Sequence, residues 1–333
     1  MWSINKLFLL LSFCLLCLPV QAGWFGFSPK DRQEFVQARE TFNRGDYQQA
    51  VVELSHYIYK TKNIKRREAR AYRLLGLAYE QLGHPDKALE VYQEALEFHK
   101  KNIPILLEAA SLYQRTALTD QSIELYNRVL ALEPDNLEAL SGQAENYIVM
   151  GFYSKARQYY DTFFQLNPQA PAVNRARYAF AFLRQRDYPN AFINITMAKL
   201  ENPDDPNYWL LSARAYKGLG LMEEALADLK AASLLAPQRE DLWAIASMWL
   251  YQAGKYDASL AQAQQLLKEN PDNELALFMT YMNLQKKGQP EQARQQLEKI
   301  RELGHDSFAY QVANKLLAEP ETTPHTRKWS RKL

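Results

Sequence analysis

The chain has two cysteines, Cys14 and Cys17, both within its first 22 residues. Once that segment is removed, as its pattern implies below, the rest can hold no disulfide, thiolate metal site or cysteine nucleophile. Stability must then come from packing alone. An excess of one charge is also missing, with 40 Lys and Arg against 38 Asp and Glu. Setting aside Lys6, Glu319, Glu321, Arg327, Lys328, Arg331 and Lys332 leaves 35 basic and 36 acidic residues. A nucleic-acid binder usually carries a clear basic excess, so that class is disfavoured. No phosphate-cradling glycine loop, G-x-S-x-G or H-E-x-x-H occurs, and these are the patterns by which common catalytic sites are recognised. The five histidines, His56, His84, His99, His305 and His325, are scattered without ligand spacing. The pairs Asp204/Asp205 and Glu223/Glu224 fall near expected helix starts, where the dipole favours negative charge. No catalytic residue, cofactor or metal is expected, and the chain reads as a non-enzyme.

Long apolar runs are absent apart from LFLLLSFCLLCL, residues 7 to 18, which follows Lys6 and precedes Pro19, Val20, Gln21 and Ala22. This pattern resembles a secretory signal peptide cleaved between Ala22 and Gly23. The run is short for a bilayer span of roughly 20 residues. Phe13 and Leu16 stand before the cysteines, where a lipid-attachment box needs a small residue, so lipidation is not expected. Residues 1–22 are therefore read as a signal peptide of an exported chain, in the bacterial periplasm or cell envelope. The alternative keeps the segment as an inner-membrane anchor.

What is present is periodicity. Pro134, Pro168, Pro203, Pro237 and Pro271 are separated by 34, 35, 34 and 34 residues. A second series of small residues, Ala50, Ala88, Ser122, Ala156, Ala191, Ala225, Ser259 and Ala293, keeps step with it. Eight repeats of one supersecondary unit account for both series. Stacked units bury their apolar faces against neighbours, so the chain can form one elongated domain.

Residues 137–170 show the unit. Leu140, Ala144, Tyr147 and Ile148 fall at helical spacing, and Ala156, Tyr159, Tyr160, Phe163 and Phe164 form the stripe of a second helix. Gly151 suits the left-handed turn between them, and Pro168 stops the second helix. Gly45, Gly83, Gly220, Gly254 and Gly288 occupy the same turn in other units. Each unit is thus a helical hairpin.

Unit two supplies Tyr72, Gly76, Tyr79, Ala88, Tyr92 and Ala95, and unit six Trp209, Ala213, Tyr216, Ala225, Ala232 and Pro237. In this the sequence resembles the tetratricopeptide repeat family, with a large residue at position four, small ones at eight and twenty, an aromatic at eleven and proline at thirty-two. The resemblance covers residues 31–307. It implies an all-α fold, a right-handed α-solenoid superhelix of eight hairpins. Small residues at positions eight and twenty let the paired helices approach closely, so Leu at Ala156 or Ala225 would overpack them. Unit one departs at Glu34 and Thr41, unit five has one extra residue before its first helix, and unit eight has His305 in place of proline. A last helix over residues 308–318, with Ser307 as N-cap, is expected to cap the array. The tail 319–333, with its basic cluster around Trp329, reads as disordered, and KTKNIKRR at residues 60–67 as a solvated connection.

The resemblance also implies a role. First helices of successive units line a concave groove that takes a peptide or helix of a protein partner, so a non-catalytic scaffold is expected. Groove positions in units two to four give a charged set, Arg70, Arg73, Glu80, Arg115, Glu138 and Glu145. In units five to eight they give an apolar set, Phe180, Leu183, Leu210, Met248, Tyr251, Phe278 and Met282, suited to an apolar or amphipathic segment. The alternative is that superhelix curvature, or the final helix folding back, covers these residues. No three adjacent units carry the Lys and Asn of a carboxylate clamp. Membrane contact is expected only through the amino-terminal segment or the basic tail.

Overall fold

The computed structural model describes residues 28–61, 68–304 and 307–318. The signal peptide with its Ala22–Gly23 junction, most of the basic connection, His305 and the tail lie outside the described residues. Within them the chain forms seventeen α-helices and no strand. No described helix is long and apolar enough to cross a membrane.

The helices fall into two compact units that divide after Met150. In the first, α1 (Pro29–Asn43) pairs with α2 (Tyr47–Thr61), α3 (Ala69–Gln81) with α4 (Pro85–Phe98), and α5 (Ile103–Arg115) with α6 (Thr119–Leu132), followed by α7 (Leu137–Val149). The second begins with α8 (Tyr153–Leu166) and continues as α9 (Ala172–Arg184) with α10 (Tyr188–Glu201), and α11 (Pro206–Gly218) with α12 (Met222–Leu235). It ends with α13 (Glu240–Gln252) against α14 (Tyr256–Glu269), α15 (Glu274–Lys286) against α16 (Pro290–Leu303), and α17 (Phe308–Ala318). Within each unit consecutive helices pack on one another, and first helices also touch first helices: α1, α3, α5 and α7 in succession, α9 on α11, and α13 on α15.

The small-residue series explains why the helices within each compact unit pair so closely. Ala50, Ala88, Ser122, Ala156, Ala191, Ala225, Ser259 and Ala293 are all 0% exposed. Any larger side chain there meets atoms already in van der Waals contact. The two serines keep their hydroxyls satisfied through the following repeat. The Asn146 amide donates to Ser122 Oγ at 2.9 Å, and the Asn283 amide to Ser259 Oγ at 2.8 Å. Buried hydroxyls paired in this way avoid the desolvation cost of an orphan polar group.

Each second helix from α6 to α14 stops two residues before its repeat's proline, as at Leu132 before Pro134 and Leu166 before Pro168. Several first helices start on a side-chain cap. Asn102, Asn136 and Asn273 each accept from the backbone N–H three residues on, replacing a helical acceptor that the first turn lacks. The fifth repeat, with its extra residue, has Pro171 at this position and no side-chain cap. At the carboxyl end, Ser307 Oγ accepts from the Tyr310 N–H at 3.0 Å at the start of α17.

The hairpin turns extend the glycine pattern. Gly45, Gly83, Gly151, Gly220, Gly254 and Gly288 have positive φ, and so do Ala117 (60°) and Arg186 (61°), which stand where the remaining two repeats lack glycine. Turn geometry, set by the two packed helices, overrides residue preference. A side chain in this conformation costs roughly 1–2 kcal/mol, while glycine's freedom in the unfolded chain returns about 0.5–1 kcal/mol. Ala117→Gly is therefore expected to stabilise the first unit by about 0.5–1 kcal/mol. Chemical denaturation checks this, and a lowered midpoint contradicts it.

Candidate functional site

In the first unit the charged set lies along α3, α5 and α7, and its members are tied across repeats. Arg73 donates to Glu108 at 2.8 Å, 35 residues on. Arg115 is ion-paired with Glu80, also 35 residues away, and Glu80 in turn accepts from the Tyr92 hydroxyl at 2.8 Å. The Gln114 amide donates to Glu145 at 3.3 Å. Arg70 sits 3.7 Å from Glu68. Glu138 is pushed above the usual carboxylate range by desolvation and then by the nearby Glu108 charge, an effect Arg73 offsets in part. Arg73, Glu80, Arg115 and Glu145 act as rungs between first helices. A partner that uses them must exchange partly exposed ion pairs worth little in water.

The apolar set in the second unit divides by repeat position. Leu210 and Phe278, at the fifth position of their repeats, are 6% and 5% exposed and belong to the core. Leu210 packs in a cluster with Leu229, Leu242 and Trp249. Phe278 packs with Leu277, Leu297, Ile300 and Val312. Phe180, Leu183, Met248, Tyr251 and Met282, at ninth and twelfth positions, are half-buried. Phe180 meets Tyr153 edge-on with ring centroids 6.2 Å apart, and Tyr251 meets Tyr256 at 5.3 Å. Burial pushes the Tyr251 phenol up to about 12. Met282 packs into the cluster that α17 closes. So α17 does cover part of this face, above Phe278 and Met282.

What stays open is a cavity of about 400 Å³ between α13, α15 and the start of α17. From α13 come Ala244, Ile245 and Met248, and from α15 Leu275, Phe278 and Met279. The first residues of α17, Phe308 and Ala309, supply the third wall. Leu275 and Phe308 are 50% and 54% exposed and form its mouth. Asp241 and Glu274 are the charged residues of the lining, and both are acidic. Asp241 pairs with Arg239 at 2.7 Å, and that hydrogen bond holds its carboxyl below the usual range. Glu274 accepts from the Ser307 hydroxyl.

Met248 and Phe278 are thus brought together as expected groove residues. Tyr251, Leu210, Phe180 and Leu183 do not line the cavity. Ile245, Leu275, Met279 and Phe308 were not expected there. The signal for Leu275 and Met279 was the apolar run of α15, LALFM at residues 275–279, which is too continuous for a helix with one buried stripe. Among the described residues no group of three His, Cys, Asp or Glu could hold a metal ion. A volume of about 400 Å³ falls within the ~300–1,000 Å³ common for ligand sites. Its apolar walls suit one large side chain better than a polar metabolite.

Comparison with known proteins agrees with this architecture. Residues 39–173 match the family described as Psidin, N-terminal TPR repeats region, and residues 206–239 match the tetratricopeptide repeat itself. "Tetratricopeptide repeat protein 8" of Caenorhabditis elegans is 31% identical over 102 residues, 31% of this chain and 20% of that protein. Human "Protein O-mannosyl-transferase TMTC1" is 24% identical over 206 residues, 60% of this chain and 23% of that protein. The chain therefore spans about a fifth of the length of these curated relatives. A tetratricopeptide repeat protein of known structure from Parabacteroides merdae superposes with a TM-score of 0.56 at 20% identity, over 77% of this chain and all of that one. The hairpins, their small-residue contacts and these likenesses agree: the chain is a tetratricopeptide repeat protein.

Proposed function

We propose that the chain is a non-catalytic, exported scaffold that binds a peptide or helix of a cell-envelope protein. The observation that carries the binding part is the apolar cavity between α13, α15 and α17, open at Leu275 and Phe308 and bordered by Asp241 and Glu274. Its ligand is an amphipathic segment with one large apolar or aromatic anchor flanked by basic residues. A fully buried anchor contributes roughly 1.5–3 kcal/mol, and association costs on the order of 4–15 kcal/mol. Several neighbouring contacts are then needed, and binding in the micromolar range follows. Selection of displayed random peptides against the full chain tests the reading. Enrichment of sequences with an aromatic anchor among Lys and Arg is the expected result. Enrichment of acidic sequences, or of none, contradicts it.

Export rests on the first 22 residues, whose Lys6, twelve-residue apolar run and Val20–Gln21–Ala22 ending fit a cleaved signal peptide. The same pattern supports a periplasmic or envelope location, with inner-membrane tethering by a retained segment as the second reading. Mass spectrometry of the purified chain is expected to give Gly23 as its first residue. Intact Met1 in a membrane fraction favours the tether.

A further inference from the structure

The cavity has an apolar floor, a mouth at Leu275 and Phe308, and lining charges of one sign, Asp241 and Glu274. The same chain carries a segment of matching chemistry, RKWSRKL at residues 327–333, in which Trp329 stands among Arg327, Lys328, Arg331 and Lys332. We infer that this tail is an internal ligand: Trp329 occupies the cavity between α13, α15 and α17, and its basic neighbours lie along the acidic border.

Reach permits it. The start of α17 forms one wall of the cavity, and the helix ends at Ala318. At ~1.5 Å rise per residue, Ala318 stands about 15 Å beyond Phe308. Trp329 follows eleven residues later, and an extended chain covers at most ~3.3–3.6 Å per residue, or about 36–40 Å here. The return path is less than half of that. A tether this short holds the tail at an effective concentration in the millimolar range, so a contact too weak to detect between separate molecules fills the site within one chain. Charge favours this occupant over a bare apolar one. The charged residues of the lining, Asp241 and Glu274, are both acidic, and no basic residue lines the cavity. The consequence is competition, because an outside peptide must displace the tail before it binds.

The inference rests on the cavity being a peptide site, and the experiment separates the two. Leu275→Cys and Ser330→Cys are introduced together into the full chain, with Cys14 and Cys17 replaced by Ser, and disulfide formation is followed under mild oxidation. A control pairs Ser330→Cys with Glu302→Cys, an exposed position on the last turn of α16, which packs on α17. The expected result is an intrachain bond to position 275 that forms about tenfold faster than to 302, as an anchored rather than freely diffusing tail requires. Trp329→Ala should abolish the difference, and added salt should reduce it by screening the exposed charges. Trp329 lies outside the repeats, so its loss cannot act through their folding. Equal rates at the two positions, indifference to Trp329→Ala, or bonds formed only between chains overturn the inference. If selected peptides still reach the cavity after such a result, the binding reading stands and the tail inference alone falls.

Discussion

Tyr92→Ala should lower the stability of the first unit by about 3–5 kcal/mol, the range for truncating a large aromatic in a closed core. Tyr92 is fully buried, and its hydroxyl donates to Glu80, which also holds Arg115 of the next repeat. Removing the ring opens a cavity inside one repeat and loosens the rung to its neighbour. Nearest-neighbour coupling in a stacked array spreads the loss beyond the repeat in which it occurs. The ring also explains Gly76 at position eight. A Cβ on Gly76 would lie 2.2 Å from a Tyr92 ring carbon, a clash that ring cannot escape in a filled core. Gly76→Ala alone should cost about 1–3 kcal/mol, and most of that cost should vanish in a Tyr92→Leu background. The coupling, of about 0.5–3 kcal/mol for residues in contact, is read from denaturant unfolding of the four proteins in the cycle. Additive losses would mean that Gly76 and Tyr92 do not share this space.

The second large effect is on binding. Leu275→Lys with Phe308→Lys places positive charge at the mouth of the cavity, on side chains that are half exposed, against the basic flanks of the ligand. Stability should change by no more than about 0.5 kcal/mol per site, as for surface substitutions. Affinity for a selected basic, aromatic peptide should fall at least about tenfold, a loss of roughly 1.4 kcal/mol. Met282→Glu should do the reverse. Its side chain packs in the cluster with Leu297, Ile300 and Val312, so a carboxylate there is desolvated without a partner and the end of the array unfolds first. Equal loss of stability from the mouth and Met282 variants would make the mouth part of the core.

Much of the fold was legible because a repeat states its rules many times, the small residue at position twenty in all eight units, the turn glycine in six and the proline in five. The small residue at position twenty, the proline after the second helix and the turn glycine each fixed a local geometry that the helices share. Ala117 and Arg186 were not legible as left-handed residues, because neither type prefers that conformation and only the packed hairpin imposes it. The binding face was legible in outline. Positional reasoning identified Met248 and Phe278 but could not separate fifth positions, which neighbouring helices bury, from ninth and twelfth positions, which stay half open. Phe308 escaped because it stands on α17, beyond the eight repeats, and no repeat position records how that helix lies against α15. The charged set was legible as side chains but not as rungs, since the pairs Arg73–Glu108 and Glu80–Arg115 join residues 35 apart.

The most direct test of a peptide site between α13, α15 and α17 is methyl NMR of the chain labelled at its methionines, titrated with a selected peptide. Met248 and Met279 line the cavity, Met282 lies behind it under α17, and Met197 is exposed on α10. The methyl signals of Met248 and Met279 should shift saturably and together, while that of Met197 stays in place. Shifts at Met197 with Met248 and Met279 unmoved would put the peptide on another face and contradict the account.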